Sequence, residues 1–194
     1  MFIMNSKTIS YSFPDGRVYV GAIKNNRPNG IGTMTFPNGD VFEGSWIDGC
    51  MDGEGVYRFY DANKDKFSSE YSGTFRKNIM DGQGKRVYAD KTLYIGTWQN
   101  GMRTGNGACW FADGSYFYGI WKFDKMIRGI FHLSSGDIFD GELKDDIFNG
   151  FGKYTWREDG VTFEGLFKDG KPFKGVKIFP DKKVELIDDS SVNA

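Results

Sequence analysis

The chain is poor in the residues that usually carry chemistry. Among 194 residues there is one histidine, His132, and there are two cysteines, Cys50 and Cys109. A single imidazole leaves only one candidate base for a Ser/His/Asp or Cys/His site. It stands in Phe131-His132-Leu133, where strand parity puts it on a polar face and a solvated surface histidine is the expectation. The cysteines lie 59 positions apart with no CxxC pairing, too few for a disulfide framework and unsuited to a zinc site within the chain. Parity places Cys109 on an apolar face and Cys50 at an exposed hairpin tip. Charge of one sign is also missing: 25 basic against 26 acidic residues give a net charge of −1. Nucleic-acid binding, which needs a basic excess on one face, is therefore not expected. No apolar run approaches the roughly 20 residues of a membrane-spanning helix. The opening Met1-Phe2-Ile3-Met4-Asn5-Ser6-Lys7 has neither the basic start nor the apolar stretch of a secretory signal. Phe2 stands where N-myristoylation requires glycine. The expected compartment is reducing, hence cytoplasmic.

Two residue classes are abundant instead. There are 27 glycines, about twice the usual ~7 % share, and 18 Phe, 10 Tyr and 5 Trp. Their joint enrichment comes from a repeated phrase, aromatic-x-Gly-x-(aromatic or aliphatic). It reads Tyr19-x-Gly21-x-Ile23, Phe42-x-Gly44-x-Trp46, Tyr71-x-Gly73-x-Phe75 and Tyr94-x-Gly96-x-Trp98, then Phe117-x-Gly119-x-Trp121, Phe139-x-Gly141-x-Leu143 and Phe163-x-Gly165-x-Phe167. By subtraction, the anchor glycines are spaced 23, 29, 23, 23, 22 and 24 residues apart. A second phrase, Gly-x-Gly-x-x-x-aromatic, follows most anchors, as in Gly30/Gly32/Phe36 and Gly53/Gly55/Phe59. Turn pairs such as Asn38-Gly39 and Asp113-Gly114 close the units.

Alternate residues of a strand share a face. Phe42, Gly44 and Trp46 therefore point one way and Glu43 and Ser45 the other. In the partner strand Gly53, Gly55, Tyr57 and Phe59 share the aromatic face. Each unit reads as a β-hairpin with one glycine-and-aromatic face and one mostly polar face, the glycines leaving floor on which rings can lie. Trp110 and Tyr118 break the polar parity and are expected to be exposed. The Gly-x-Gly phrases lack the Gly-Lys-Ser/Thr and the helix of a phosphate-binding loop. Asp61-x-Asn63-x-Asp65 opens like a calcium loop, but Lys66 and Ser72 stand where glycine and glutamate are needed, so an inserted polar loop is expected there. The acidic pairs Asp145-Asp146 and Asp188-Asp189 read as solvated turn or tail residues. No catalytic, metal-binding or cofactor-binding residue is expected.

A unit of about 23 residues running Tyr-x-Gly-x-Trp, Gly-x-Gly, Asp-Gly resembles the MORN repeat (membrane occupation and recognition nexus). The likeness extends over nearly the whole chain. It divides the sequence into a cap and half repeat (residues 1–18), seven repeats (19–183, starting near 19, 42, 71, 94, 117, 139 and 163) and an acidic, polar tail (184–194). The fifth and seventh units keep only one glycine of the second phrase, at Gly129 and Gly175. The resemblance implies an all-β fold, an elongated, twisted single-layer antiparallel sheet of tandem hairpins with about fifteen strands. It also implies a non-catalytic scaffold for protein-protein interaction at cytoskeletal or membrane-associated structures, in some members homo-oligomeric. A helix or extended segment of a protein partner would lie along the sheet, with Trp110 and Tyr118 as candidate contacts. The alternative partner is anionic phospholipid, such as phosphoinositide, met by Lys168, Lys171, Lys174, Lys177, Lys182 and Lys183. Asp169, Asp181 and Glu185 dilute that cluster.

Overall fold

The computed structural model describes residues 9–189, and among them there is no helix. The chain divides between Gly101 and Met102 into two compact units. In the first, β1 (Ile9–Ser12), β2 (Val18–Lys24), β3 (Arg27–Thr35), β4 (Val41–Ile47), β5 (Cys50–Asp61), β6 (Lys66–Arg76), β7 (Ile79–Val87) and β8 (Leu93–Gln99) follow one another. Each strand pairs antiparallel with its sequence neighbour. The second unit repeats the scheme with β9 (Met102–Trp110), β10 (Tyr116–Lys122), β11 (Lys125–His132), β12 (Ile138–Lys144), β13 (Ile147–Thr155), β14 (Thr162–Lys168), β15 (Lys171–Ile178) and β16 (Val184–Asp188). The all-β architecture of successive antiparallel hairpins is the one the repeats imply. Among the described residues, sixteen strands stand where about fifteen are expected, because Val184–Asp188, read as polar tail, pairs with β15.

Why the hairpins form is visible in the core. Tyr19, Phe42, Tyr71, Phe117, Phe139 and Phe163 are almost wholly buried. Each ring lies flat over the glycine two residues on and the glycine facing it on the next strand. Gly44 pairs with Gly55 beneath Phe42; a Cβ on Gly44 would come within 2.8 Å of the ring and 2.5 Å of the neighbouring backbone. Glycine is kept at these floors because no side chain fits.

Where the third residue of the first phrase is Trp46, Phe75, Trp98 or Phe167, it reaches backward and couples one hairpin to the one before it. Trp46 meets Tyr19 edge-on at 5.6 Å, Phe75 meets Phe42 at 5.0 Å, and Phe167 meets Phe139 at 5.0 Å. Where this residue is tryptophan, its indole N–H also donates to the carbonyl of the preceding floor glycine, as Trp46 does to Gly32 at 3.0 Å. Edge-to-face pairs contribute roughly 0.5–1.5 kcal/mol each beyond the area they bury.

The two glycines of the second phrase turn out to differ in role. Sequence parity puts Gly53 and Gly55 on the same aromatic floor, but only Gly55 is floor. Pairing shifts by two residues between Gly44 and Trp46, where Asp52, Gly53 and Glu54 stand against Ser45 alone, and Gly53 takes φ +103° in this bulge, a conformation that favours glycine. In the fifth and seventh units the floor glycines Gly129 and Gly175 persist. The missing glycine is the bulge one: these bulges are one residue shorter, with Ile127 and Phe173 as the single extra residue. A second departure concerns the insertion after Tyr60. Strands β5 and β6 continue their pairing through it, Tyr60 opposite Phe67 and Asp61 opposite Lys66. The two rings meet at 5.7 Å and Asp61 pairs with Lys64 at 2.9 Å. Where an inserted polar loop is expected, the insertion is a lengthened hairpin with a short turn, zipped by Tyr60 and Phe67.

Candidate functional site

Two-residue turns close the hairpins along one edge, with positive φ at both residues, as in Asp48-Gly49 and Lys77-Asn78. The acidic and amide side chains here fasten neighbouring hairpins. Asn78 Oδ1 accepts from Met51 N–H at 2.8 Å, and Asp124 and Asp146 accept from the backbone N–H groups of Arg103 and Met126. Asp145-Asp146 is thus a turn, as expected. Asp188 pairs with Lys174 at 3.2 Å as the last residue of β16. Among the described residues, no group of His, Cys, Asp and Glu has the arrangement of a metal site. Cys109 is buried on the ring face, opposite Phe117. Cys50 is half-buried at the start of β5, less exposed than a tip residue should be. His132 does face away from the rings, but it is not freely solvated. It is half-buried, stacked on Tyr116 at 4.2 Å with the planes 13° apart, because Tyr116 is its direct cross-strand partner.

The face opposite the rings is less polar than the sequence suggests. In the second unit it carries a contiguous apolar patch over β9, β10 and β11. Trp110 is 42 % exposed and Tyr118 64 %, and Tyr116, Ile120 and Ile130 are exposed beside them. Their contiguity is set by register. Tyr116 pairs with Trp110, and Tyr118 pairs with Ala108 on one side and Ile130 on the other. Trp110 and Tyr118 thus sit where parity places them. Tyr116, Ile120 and Ile130 were missed, although the run Tyr116-x-Tyr118-x-Ile120 carries the signal: three large residues at period two on the face assigned to polar side chains.

The six lysines of the C-terminal repeat do not form one patch. Lys168 and Lys171 flank the turn at Asp169-Gly170, whereas Lys182 and Lys183 lie in the turn at the other end of β15. Lys177 points to the ring face, 5.2 Å from the Phe179 ring and 5.6 Å from Trp156. Lys174 faces the other way, against Asp188. A membrane surface engages cations that share a face, and alternation along β15 separates these.

The resolved pKa shifts belong to structural groups. Burial raises the phenols of Tyr57 and Tyr154, and acceptor carboxylates add to the shift, Asp40 at 2.9 Å and Asp137 at 2.7 Å. Burial raises Tyr71 as well. Unfolded tyrosines ionise near 10. Above that pH the unfolded chain releases protons that the native chain keeps, so stability falls as pH rises; below it the contribution is fully present. Melting temperatures from circular dichroism are expected to drop above about pH 10. The drop should be shallower in a Tyr57→Phe/Tyr154→Phe variant. The same alkaline slope in both proteins would count against the phenols as its cause.

The family model for the MORN repeat matches residues 19–41, 42–64, 71–93, 94–116 and 139–161, more than half of the chain. Outside the matched stretches lie the two hairpins, β10–β11 and β14–β15, that lack the bulge glycine. Rat (Rattus norvegicus) alsin is 32 % identical over 77 residues, and human (Homo sapiens) alsin 31 % over 77. These stretches take in 37 % of this chain and 4 % of alsin's length. Among solved structures, the wild-type TCP10 domain of Danio rerio CPAP, in complex with a peptide of Danio rerio STIL, shares the fold with a TM-score of 0.51. Its sequence identity is 15 %, and the match covers 94 % of this chain and 84 % of that one. With its rings stacked on paired glycines, hairpin after hairpin, the chain belongs to the MORN-repeat family.

Proposed function

We propose that this protein is a non-catalytic scaffold that holds a protein partner on its sheet, at a cytoskeletal or membrane-associated structure. The observation that carries the reading is the exposed apolar patch of Trp110, Tyr116, Tyr118, Ile120 and Ile130. Aromatic residues that remain exposed on a regular sheet are the class that dominates binding energy at protein interfaces. The partner of the Danio rerio domain that shares this fold is a peptide, and a helix or extended segment is the kind of partner that an exposed apolar surface accommodates.

The test immobilises the full chain, captures partners from cell extract and quantifies what is retained. Trp110→Ala and Tyr118→Ala are expected to lower capture of the specific partner by roughly tenfold or more, the scale of an interface hot spot. The reversal Lys171→Glu/Lys174→Glu/Lys177→Glu is expected to leave capture intact. The complex should survive ~1 M salt, where the Debye length shrinks to about 3 Å. If the lysine reversal instead abolishes both capture and binding to vesicles of anionic lipid, the phospholipid reading replaces this one.

A further inference from the structure

Strand β7 carries a charge on the ring face. Its partners in the row, Tyr71 on β6 and Tyr94 on β8, are both fully buried. At the same place in other hairpins stand Met34, Tyr57, Cys109, Phe131, Tyr154 and, as a second cation, Lys177; here it is Arg86. The guanidinium lies 4.2 Å from the centre of the Phe59 ring and 5.0 Å from that of Tyr88. Its Nη1 lies 3.7 Å from the thioether of Met80. Its Nε is buried without a hydrogen-bond partner, and among the described residues it forms no ion pair. Burial lowers the Arg86 pKa from its ordinary value, although an arginine stays charged in any protein.

Phe59 and Met80, which touch the guanidinium, also line a pocket of about 330 Å³ together with Met51, Tyr57 and Phe75. That is roughly ten times the ~30 Å³ share of a water molecule, so the pocket admits a leucine- or phenylalanine-sized side chain. The nearby carboxylates are already engaged. Asp81 is 3.7 Å from Arg76 and accepts from Asn100 N–H, and Asp52 accepts from Lys77 N–H. Arg86 lies against Phe59 and Met80 of the pocket wall, with no carboxylate partner among the described residues.

We propose that this pocket and Arg86 together receive a segment of a partner protein that carries a carboxylate next to a large apolar side chain. The apolar side chain fills the pocket and the carboxylate takes the guanidinium fork. The two sandwiching rings hold the fork in place, so little side-chain freedom is lost on binding. The buried Nε is out of reach of a partner, so the carboxylate meets the Nη end of the guanidinium, where a charge-assisted hydrogen bond is stronger than a neutral one. The proposal rests on the reading of the chain as a protein-binding scaffold and specifies the chemistry of one contact.

The test selects from a display library of random twelve-residue peptides on the full chain and on Arg86→Met, which keeps the aliphatic stem and removes the fork. The wild-type chain is expected to enrich peptides with Asp or Glu within two positions of Leu, Ile, Met or Phe, and Arg86→Met is not. In the strongest peptide, changing the acid to its amide should weaken binding to the wild-type chain roughly tenfold or more, as expected for a hydrogen bond to a charged group. This comparison needs only the wild-type protein, so it decides the matter even if Arg86→Met fails to fold. Enriched peptides without an acid, an amide change without effect, or no enrichment at all overturns the site. None of these touches the scaffold reading, which stands or falls on Trp110 and Tyr118. Binding to vesicles containing phosphatidylinositol bisphosphate should be the same for wild type and Arg86→Met. A loss there would assign the guanidinium to a lipid headgroup and overturn the proposal.

Discussion

Gly44→Val is expected to be among the most damaging single substitutions in the chain, destabilising it by about 3 kcal/mol or more, the upper end of overpacking costs. The first carbon of the new side chain would stand 2.5 Å from the Glu54 carbonyl oxygen, 2.5 Å from Gly55 Cα and 2.8 Å from the Phe42 ring. Two of these atoms belong to the backbone of the adjacent strand, which cannot swing aside as a side-chain end can. The third is a ring held edge-on by Trp46 at 5.2 Å and Phe75 at 5.0 Å. The control is Gly114→Ala. That glycine has φ +87° and nothing within 4 Å, so its cost is left-handed backbone strain alone, about 1–2 kcal/mol. Chemical denaturation of both variants provides the comparison. If Gly44→Val is the milder of the two, close packing of ring on glycine is not what holds the hairpin.

The comparison of these glycines also shows why parts of the molecule could be read from the sequence and others could not. Phe42, Gly44 and Trp46 recur with the same spacing in every unit, so their shared face follows from strand alternation. Gly53 could not be placed that way, because the bulge that holds it breaks the alternation on which the reading depends. Likewise Tyr60 and Phe67 flank the Asp61–Asp65 insertion, and nothing local reveals that their rings meet across it. Val184-x-Leu186 is a short alternating run among Lys182, Lys183, Glu185 and Asp188, and its strand character appears only through pairing with β15.

The candidate surfaces divide along the same line. Trp110 and Tyr118 are legible because each is a large ring at a position where parity expects a polar residue. Their joining with Ile130 into one patch depends on the register of β9, β10 and β11. Arg86 is equally anomalous by parity, a charge among buried rings, but its sandwich needs Phe59, 27 positions earlier on a non-adjacent strand. That juxtaposition is a property of the folded sheet.

Trp98→Ala should be the other large loss, about 3–5 kcal/mol, the usual range for truncating a packed aromatic. Trp98 is 3 % exposed and meets Tyr71 at 5.4 Å and Tyr94 at 5.2 Å, in both cases edge-on. Its indole N–H donates to the Gly84 carbonyl at 3.3 Å. Alanine therefore opens a cavity over the Tyr71 ring and leaves that carbonyl without this donor. Trp98→Phe separates the two effects, since Phe75 occupies the same place in its own hairpin with no N–H to donate. That variant is expected to lose only about 1 kcal/mol, the net worth of one hydrogen bond. Because each hairpin packs on its sequence neighbours, hydrogen exchange in Trp98→Ala should quicken in β6, β7 and β8 and stay unchanged in β12 to β15. Equal quickening in both units would mean that the chain unfolds as one cooperative body and that the neighbour-to-neighbour coupling of rings is not what limits its opening. Quickening confined to β6–β8, with Trp98→Phe close to wild type, would show that the edge-on ring stack holds this part of the sheet together.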